Sequence, residues 1–171
     1  MIKPGTKISF FLEDEHETLV LGRCLAEVFN RLETYPALLF TGAPGTGKTT
    51  MIRGIVRTLP GGADAEISSP SFNILNIYPT RPETAHFDLY RLEDSGLDPE
   101  SEEVLLDREK FVLVEWSEFL PSELCPADAI LISLELQVRG RAVEMIIKDR
   151  TIEDMLLKSK CPVKKTGLAD G

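Results

Sequence analysis

Polar and apolar positions alternate along Lys7-Ile8-Ser9-Phe10-Phe11-Leu12, the period-two pattern of a strand with one buried face, and this alternation is enough to read it as an edge strand. The pattern then changes period. Glu13-Asp14-Glu15-His16-Glu17-Thr18 puts acids where a first helical turn favours them, and Leu19, Leu21, Leu25, Val28, Phe29 and Leu32 form a helical stripe. Thr34-Tyr35-Pro36 stops that helix at about residue 33. The run Ala37 to Phe40 is continuously apolar, as in a strand buried on both faces. A glycine-rich loop follows, then Thr50-Met51-Ile52-Arg53-Gly54-Ile55-Val56-Arg57-Thr58-Leu59, which returns to helical spacing before Pro60-Gly61-Gly62 ends it.

Beyond that stop, Ile67-Ser68-Ser69-Pro70-Ser71 reads as a polar loop and 72–78 as a strand; Ala85 to Leu92 is a strand interrupted by Asp88. Residues 93–110 are partly helical, with Leu97, Val104, Leu105 and Leu106 as the expected buried positions. Phe111-Val112-Leu113-Val114-Glu115 has the form of a central parallel strand that delivers a carboxylate to the carboxyl edge of a sheet. Ala129 to Gln137 and Arg141 to Lys148 flank Val138-Arg139-Gly140 as an antiparallel hairpin. The expected fold is α/β and P-loop NTPase-like, with a central, mostly parallel sheet flanked by helices and the hairpin near the C-terminus. Residues 1–150 form the domain and 151–171 a flexible tail.

A length of 171 residues with 43% hydrophobic and 27% charged content describes one ordinary globular domain with a sizeable core. No apolar run approaches the roughly eighteen residues of a membrane span, and Lys3-Pro4-Gly5 does not open a signal peptide, so a cytoplasmic protein is expected. Cys24, Cys125 and Cys161 have neither metal-site spacing nor an even number and read as inert thiols. The net charge of −9 argues against a chain that grips nucleic acid by itself. Ten acidic residues lie between 93 and 118 against Arg108 and Lys110; this stretch is either a solvated face or a docking surface for a basic partner.

The chemistry centres on Gly42-Ala43-Pro44-Gly45-Thr46-Gly47-Lys48-Thr49-Thr50, which fits the P-loop pattern. Glycines let consecutive backbone N–H groups turn inward on a phosphate, and the helix that follows aims its positive end at it. Gly45, Thr46, Gly47, Lys48, Thr49 and Thr50 are therefore candidate nucleotide contacts. Lys48 bridges the β- and γ-phosphates, and the Thr49 hydroxyl serves Mg²⁺. Hydrolysis needs a further acid. Glu115 is preferred as the metal ligand, with Asp88 as a water-positioning group or a turn acid; Lys48, Asp88 and Glu115 form the catalytic set. Ser71, in the Ser68-Ser69-Pro70-Ser71 loop, occupies the place of a γ-phosphate switch. Trp116 either stacks on adenine or belongs to the core, His86 is either packed or a proton carrier, and Arg139 and Arg141 either approach phosphate or base or face solvent. A small-molecule kinase using the same loop is the alternative, although Arg53, Arg57, Arg81, Arg91 and Arg108 do not cluster as a lid would require.

These motifs resemble the TsaE family, small ATPases needed to make threonylcarbamoyladenosine beside the tRNA anticodon. The likeness spans roughly residues 9–148 and rests on Thr18 with Leu21-Gly22 and Leu25-Ala26, Gly42 to Thr50, Ser69-Pro70-Ser71-Phe72, His86-Phe87-Asp88-Leu89-Tyr90-Arg91-Leu92, and Val114-Glu115-Trp116-Ser117-Glu118. The His86-to-Leu92 run is the most specific. The resemblance implies an ATP- and Mg²⁺-binding protein that docks on the transferase TsaD with its relative TsaB, resets that complex by hydrolysis, meets tRNA only indirectly and has no membrane partner. It implies Thr49 and Glu115 as metal ligands, Trp116 as the adenine contact and Ser69-Pro70-Ser71 as the switch-like loop. Where the family's loop reads Gly-Asp-Leu-Gly-Ala-Gly-Lys-Thr-Thr, this chain has Ala43-Pro44 and Thr46, and Ser71 stands where threonine is usual.

Overall fold

The computed structural model describes residues 5–70, 73–92 and 96–170. Ser71 and the expected start of a strand at 72 lie outside them, as do Glu93 and Asp94. Eight strands form one sheet in the order β3-β4-β5-β2-β6-β7-β1-β8. They are β1 (Thr6–Leu12), β2 (Leu38–Thr41), β3 (Leu75–Tyr78), β4 (Thr84–Asp88), β5 (Phe111–Glu115), β6 (Ile130–Leu136), β7 (Arg141–Ile147) and β8 (Lys164–Asp170). The helices are α1 (Glu15–Leu32), α2 (Lys48–Thr58), α3 (Pro99–Leu106) and α4 (Arg150–Lys158). Among the described residues no helix is long and apolar enough to cross a membrane.

The mostly parallel sheet of the sequence reading is a mixed one. β4, β5, β2 and β6 run parallel, while β3 and the group β7, β1 and β8 pair antiparallel. β1 is not an edge: β8 covers it, with Ile8 opposite Leu168. That strand comes from the segment expected to be a tail, whose Lys-rich polar sequence has weak strand character of its own and is ordered by pairing with β1. α4 precedes it, capped by Asp149, whose carboxylate accepts from the N–H groups of Thr151 and Ile152. The inert-thiol reading also fails for two cysteines. Cys24 on α1 and Cys161 before β8 form a disulfide with Cα atoms 5.7 Å apart, although 137 positions separate them. Nothing in local spacing announces a pair that the fold alone brings together.

The core divides along the pleat. Phe40, Phe111, Leu113 and Ile132 pack under α1, α2 and α4, whereas Leu39, Ala85, Phe87, Val112 and Val114 pack on the opposite face with Leu105 of α3. All of β5 is buried, as a central strand covered on both faces must be. Each aliphatic side chain so buried contributes roughly 1.5–3 kcal/mol. α1 and α2 make the closest helix pair. A Cβ on Gly22 would come within 2.3 Å of Met51 O and one on Gly54 within 2.3 Å of Leu19 O, so glycine at both points lets the two backbones touch. This seats α2, and with it the preceding loop, against the sheet. Leu106, expected inside, is 53% exposed, because α3 is short and buries Leu105 and Ser101 on the face away from it.

Candidate functional site

Parallel strands put their carboxyl ends on one edge, and the loops after β2, β4 and β5 meet there. In register, Phe40 of β2 lies beside Glu115 of β5, and Asp88 of β4 lies beside Glu115 on its other side. Two acids and the start of the glycine loop thereby reach the same level of the sheet. They border a cavity of about 570 Å³. Gly45, Gly47, Lys48, Thr49, Thr50, Asp88, Glu115, Trp116 and Arg141 of the expected site line it. Ser71 lies outside the described residues. Thr46, almost wholly buried, is behind the lining: its hydroxyl donates to Ala43 O at 2.9 Å and so braces the loop where this chain departs from the family pattern.

Gly47 caps α2 with φ 104° and no side-chain hydrogen bond, so the N–H groups of the first helical turn open toward the cavity. A Cβ there would meet Arg141 Nη1 at 2.2 Å. Glycine thus answers both to the left-handed backbone and to the arginine. Arg141, the first residue of β7, donates from Nη1 to Thr46 O at 2.8 Å, while its Nε is buried with no partner among the described residues. Arg139 is exposed in the adjoining turn and does not line the cavity.

Lys48 donates to the carbonyls of Gly42 at 2.5 Å and Ala43 at 3.1 Å, and its Nζ lies 4.1 Å from the centre of the Trp116 ring. Burial lowers its pKa from the ordinary lysine value, while Glu115, Glu118 and Asp88 pull it back up. Three carboxylates thus favour the charge that a phosphate would need. Thr49 Oγ1 donates to Glu115, 2.8 Å from Oε1 and 3.0 Å from Oε2. Asp88 accepts from the Tyr90 N–H at 3.0 Å and from the Ser69 hydroxyl.

Trp116 takes the left-handed conformation, φ 57°, which turns the chain sharply after β5. Its ring sits 4.7 Å from that of Tyr90 and is stacked with Phe119 at 6.3 Å. Its contact with Lys48 holds it beside the first residue of α2. Sequence reading missed Glu15, Tyr90 and Arg91 as cavity residues. Tyr90 and Arg91 carried a signal in their adjacency to Asp88. Glu15 carried none, since only packing brings the start of α1 to Thr50, 3.4 Å away. His86 is completely buried, its Nε2 2.9 Å from Glu115 Oε1, so it is packed in the strand and also attached to the site.

A family model described as threonylcarbamoyl adenosine biosynthesis protein TsaE matches residues 12–143. The tRNA threonylcarbamoyladenosine biosynthesis protein TsaE of Rickettsia felis is 36% identical over 134 residues, covering 74% of this chain and 71% of its own. The protein of the same name from Rickettsia typhi is 30% identical over 152 residues, covering 85% and 98%. That from Treponema pallidum is 33% identical over 111 residues, covering 64% and 79%. The crystal structure of Bacillus subtilis YdiB superposes with a TM-score of 0.65 over 89% of this chain and 93% of its own; at 20% identity this is a likeness of fold.

Proposed function

This chain belongs to the TsaE family of threonylcarbamoyl adenosine biosynthesis proteins, and from that premise we propose that it is a P-loop NTPase-like subunit that binds and hydrolyses ATP with Mg²⁺ to support tRNA threonylcarbamoyladenosine formation. The observation that carries the reading is the meeting of Thr49 Oγ1 with Glu115 directly at the opening of α2, beside Lys48. The donor set fits the metal: a hydroxyl and a carboxylate are hard oxygen ligands, and Mg²⁺ is commonly held by one or two such groups together with substrate phosphates. Among the described residues no three or more His, Cys, Asp and Glu side chains form a metal cage, so the remaining ligands would come from the phosphates and water.

Bound there with ATP, Mg²⁺ would neutralise charge that develops on the phosphoryl oxygens. Thr49 and Glu115 would hold the ion. Lys48 exchanges the Gly42 and Ala43 carbonyls for the β- and γ-phosphates, and the N–H groups of the first turn of α2 bind the same anion. Asp88, held by Ser69 and the Tyr90 amide, orients the attacking water or accepts its proton. Arg91 at the rim and Arg141 beside the loop are the other cations of the cavity.

The partners proposed are TsaD and TsaB, with hydrolysis resetting their complex, tRNA contacted only through them, and the cytoplasm as the site of action. Slow turnover by the isolated chain follows if part of the positive charge around the transition state comes from a partner. Phosphate release should be Mg²⁺-dependent, rise when the two partner proteins are added, and vanish in Lys48→Ala. Release without Mg²⁺, or unaltered in Lys48→Ala, would remove the proposal.

A further inference from the structure

Glu115 is held from two sides. Its Oε1 receives both the Thr49 hydroxyl and His86 Nε2, whereas among the described residues Oε2 has the longer Thr49 contact alone. A carboxylate can only accept, so the hydrogen of the 2.9 Å bond is on His86 Nε2. In the neutral ring Nδ1 is then the acceptor, and Tyr78 Oη lies 3.2 Å from it. The one hydrogen of that hydroxyl faces two acceptors, Nδ1 and Ser68 O at 3.4 Å, the latter in the loop whose next residue, Ser69, bonds Asp88. His86 is fully buried and Tyr78 nearly so, and their rings are tilted against each other with centres 6.0 Å apart. A polar chain so enclosed is costly unless every member is satisfied, and here Tyr78, His86 and Glu115 satisfy one another.

We propose that His86 and Tyr78 are positioning residues that hold the Glu115 carboxylate with Oε2 turned to the metal and connect it to the serine loop at 68–69. The inference rests on the ATPase reading above. Buried groups that orient a metal ligand fix its direction and basicity, and their loss typically costs about 10–100-fold in metal affinity. Because the serine loop touches Asp88 directly and Glu115 through Tyr78 and His86, a shift of the loop reaches both acids at once.

Two measurements test this. Trp116, the only tryptophan, reports binding of a non-hydrolysable ATP analogue as Mg²⁺ is titrated. His86→Leu is expected to raise the Mg²⁺ concentration at half-effect by about 10–100-fold while metal-free nucleotide binding is unchanged. His86→Gln, which keeps an N–H donor, should recover most of the loss, and Tyr78→Phe should show a smaller rise. Independently, ¹⁵N spectra of the two histidines, with His86 assigned by its disappearance in His86→Gln, should show the Nε2–H tautomer and a Nδ1 resonance that moves in Tyr78→Phe. A Nδ1–H tautomer, or an unchanged Mg²⁺ midpoint in His86→Leu and Tyr78→Phe together with a Nδ1 resonance indifferent to Tyr78, overturns the proposal. Absence of nucleotide binding by the wild type would sink the ATPase reading with it, whereas wild-type binding with Mg²⁺ midpoints unaltered in all variants sinks this inference alone.

Discussion

The sheet is two different objects joined at β6. From β4 to β6 four strands run parallel, their carboxyl ends share an edge, and most of the cavity residues hang from the loops that leave it. From β7 to β8 the strands alternate in direction, and the one cavity residue they supply is Arg141, at the start of β7. The difference is geometric. Parallel strands repeat one polarity, so successive crossovers stack loops and a helix N-terminus at a common end, while antiparallel strands distribute their loops over both ends. The parallel part is therefore where chemistry can be assembled, and the antiparallel part supplies frame, closed by the Cys24–Cys161 link.

The comparison is sharpest in variants that should affect one half and spare the other. Glu115→Gln keeps the size of the side chain and loses its charge; kcat for ATP hydrolysis is expected to fall by about 10²–10³-fold, the scale of losing one charge-stabilising group, with the thermal midpoint little altered. A cooperative loss of stability of similar size would instead make Glu115 a frame residue. Cys24→Ser should do the reverse, lowering unfolding free energy by about 2–4 kcal/mol in denaturant titrations under non-reducing conditions, with nucleotide affinity intact. If affinity falls along with stability, the two halves are not separable.

Trp116→Ala probes the border between binding and chemistry. A ring beside Lys48, the proposed phosphate contact, predicts that ATP affinity drops by roughly 1–2 kcal/mol and ADP affinity by less, the scale of a partly buried cation–π contact. Equal losses of about 1–3 kcal/mol for both nucleotides, measured by calorimetry, would assign the ring to an adenine stack instead. The smallest effect is expected at Leu106→Ser, within about 0.5 kcal/mol of wild-type stability, since that side chain is exposed on α3.

Legibility followed the range of the interactions. The glycine loop, its flanking strand and helix, and the acid at the end of β5 were readable because each is a local pattern: a fixed spacing, an apolar run, a helical stripe. Asp88 and Glu115 were recognisable singly, yet their register side by side is a property of the β4–β5 pairing. Leu106 and Leu105 look alike as neighbours in sequence, and only the packing of α3 turns one inward.

The amino-acid order by itself determined the phosphate-type loop, the family and most of the elements, because those depend on residues near one another along the chain. Tertiary structure alone decided that β8 covers β1, that Cys24 meets Cys161, that Arg141 leans on the loop at Thr46, and that His86 holds Glu115. Each of these joins segments separated by 29 to 164 positions, from the His86–Glu115 bond to the Thr6–Asp170 pairing, and is selected by burial and strand order, which local spacing does not encode.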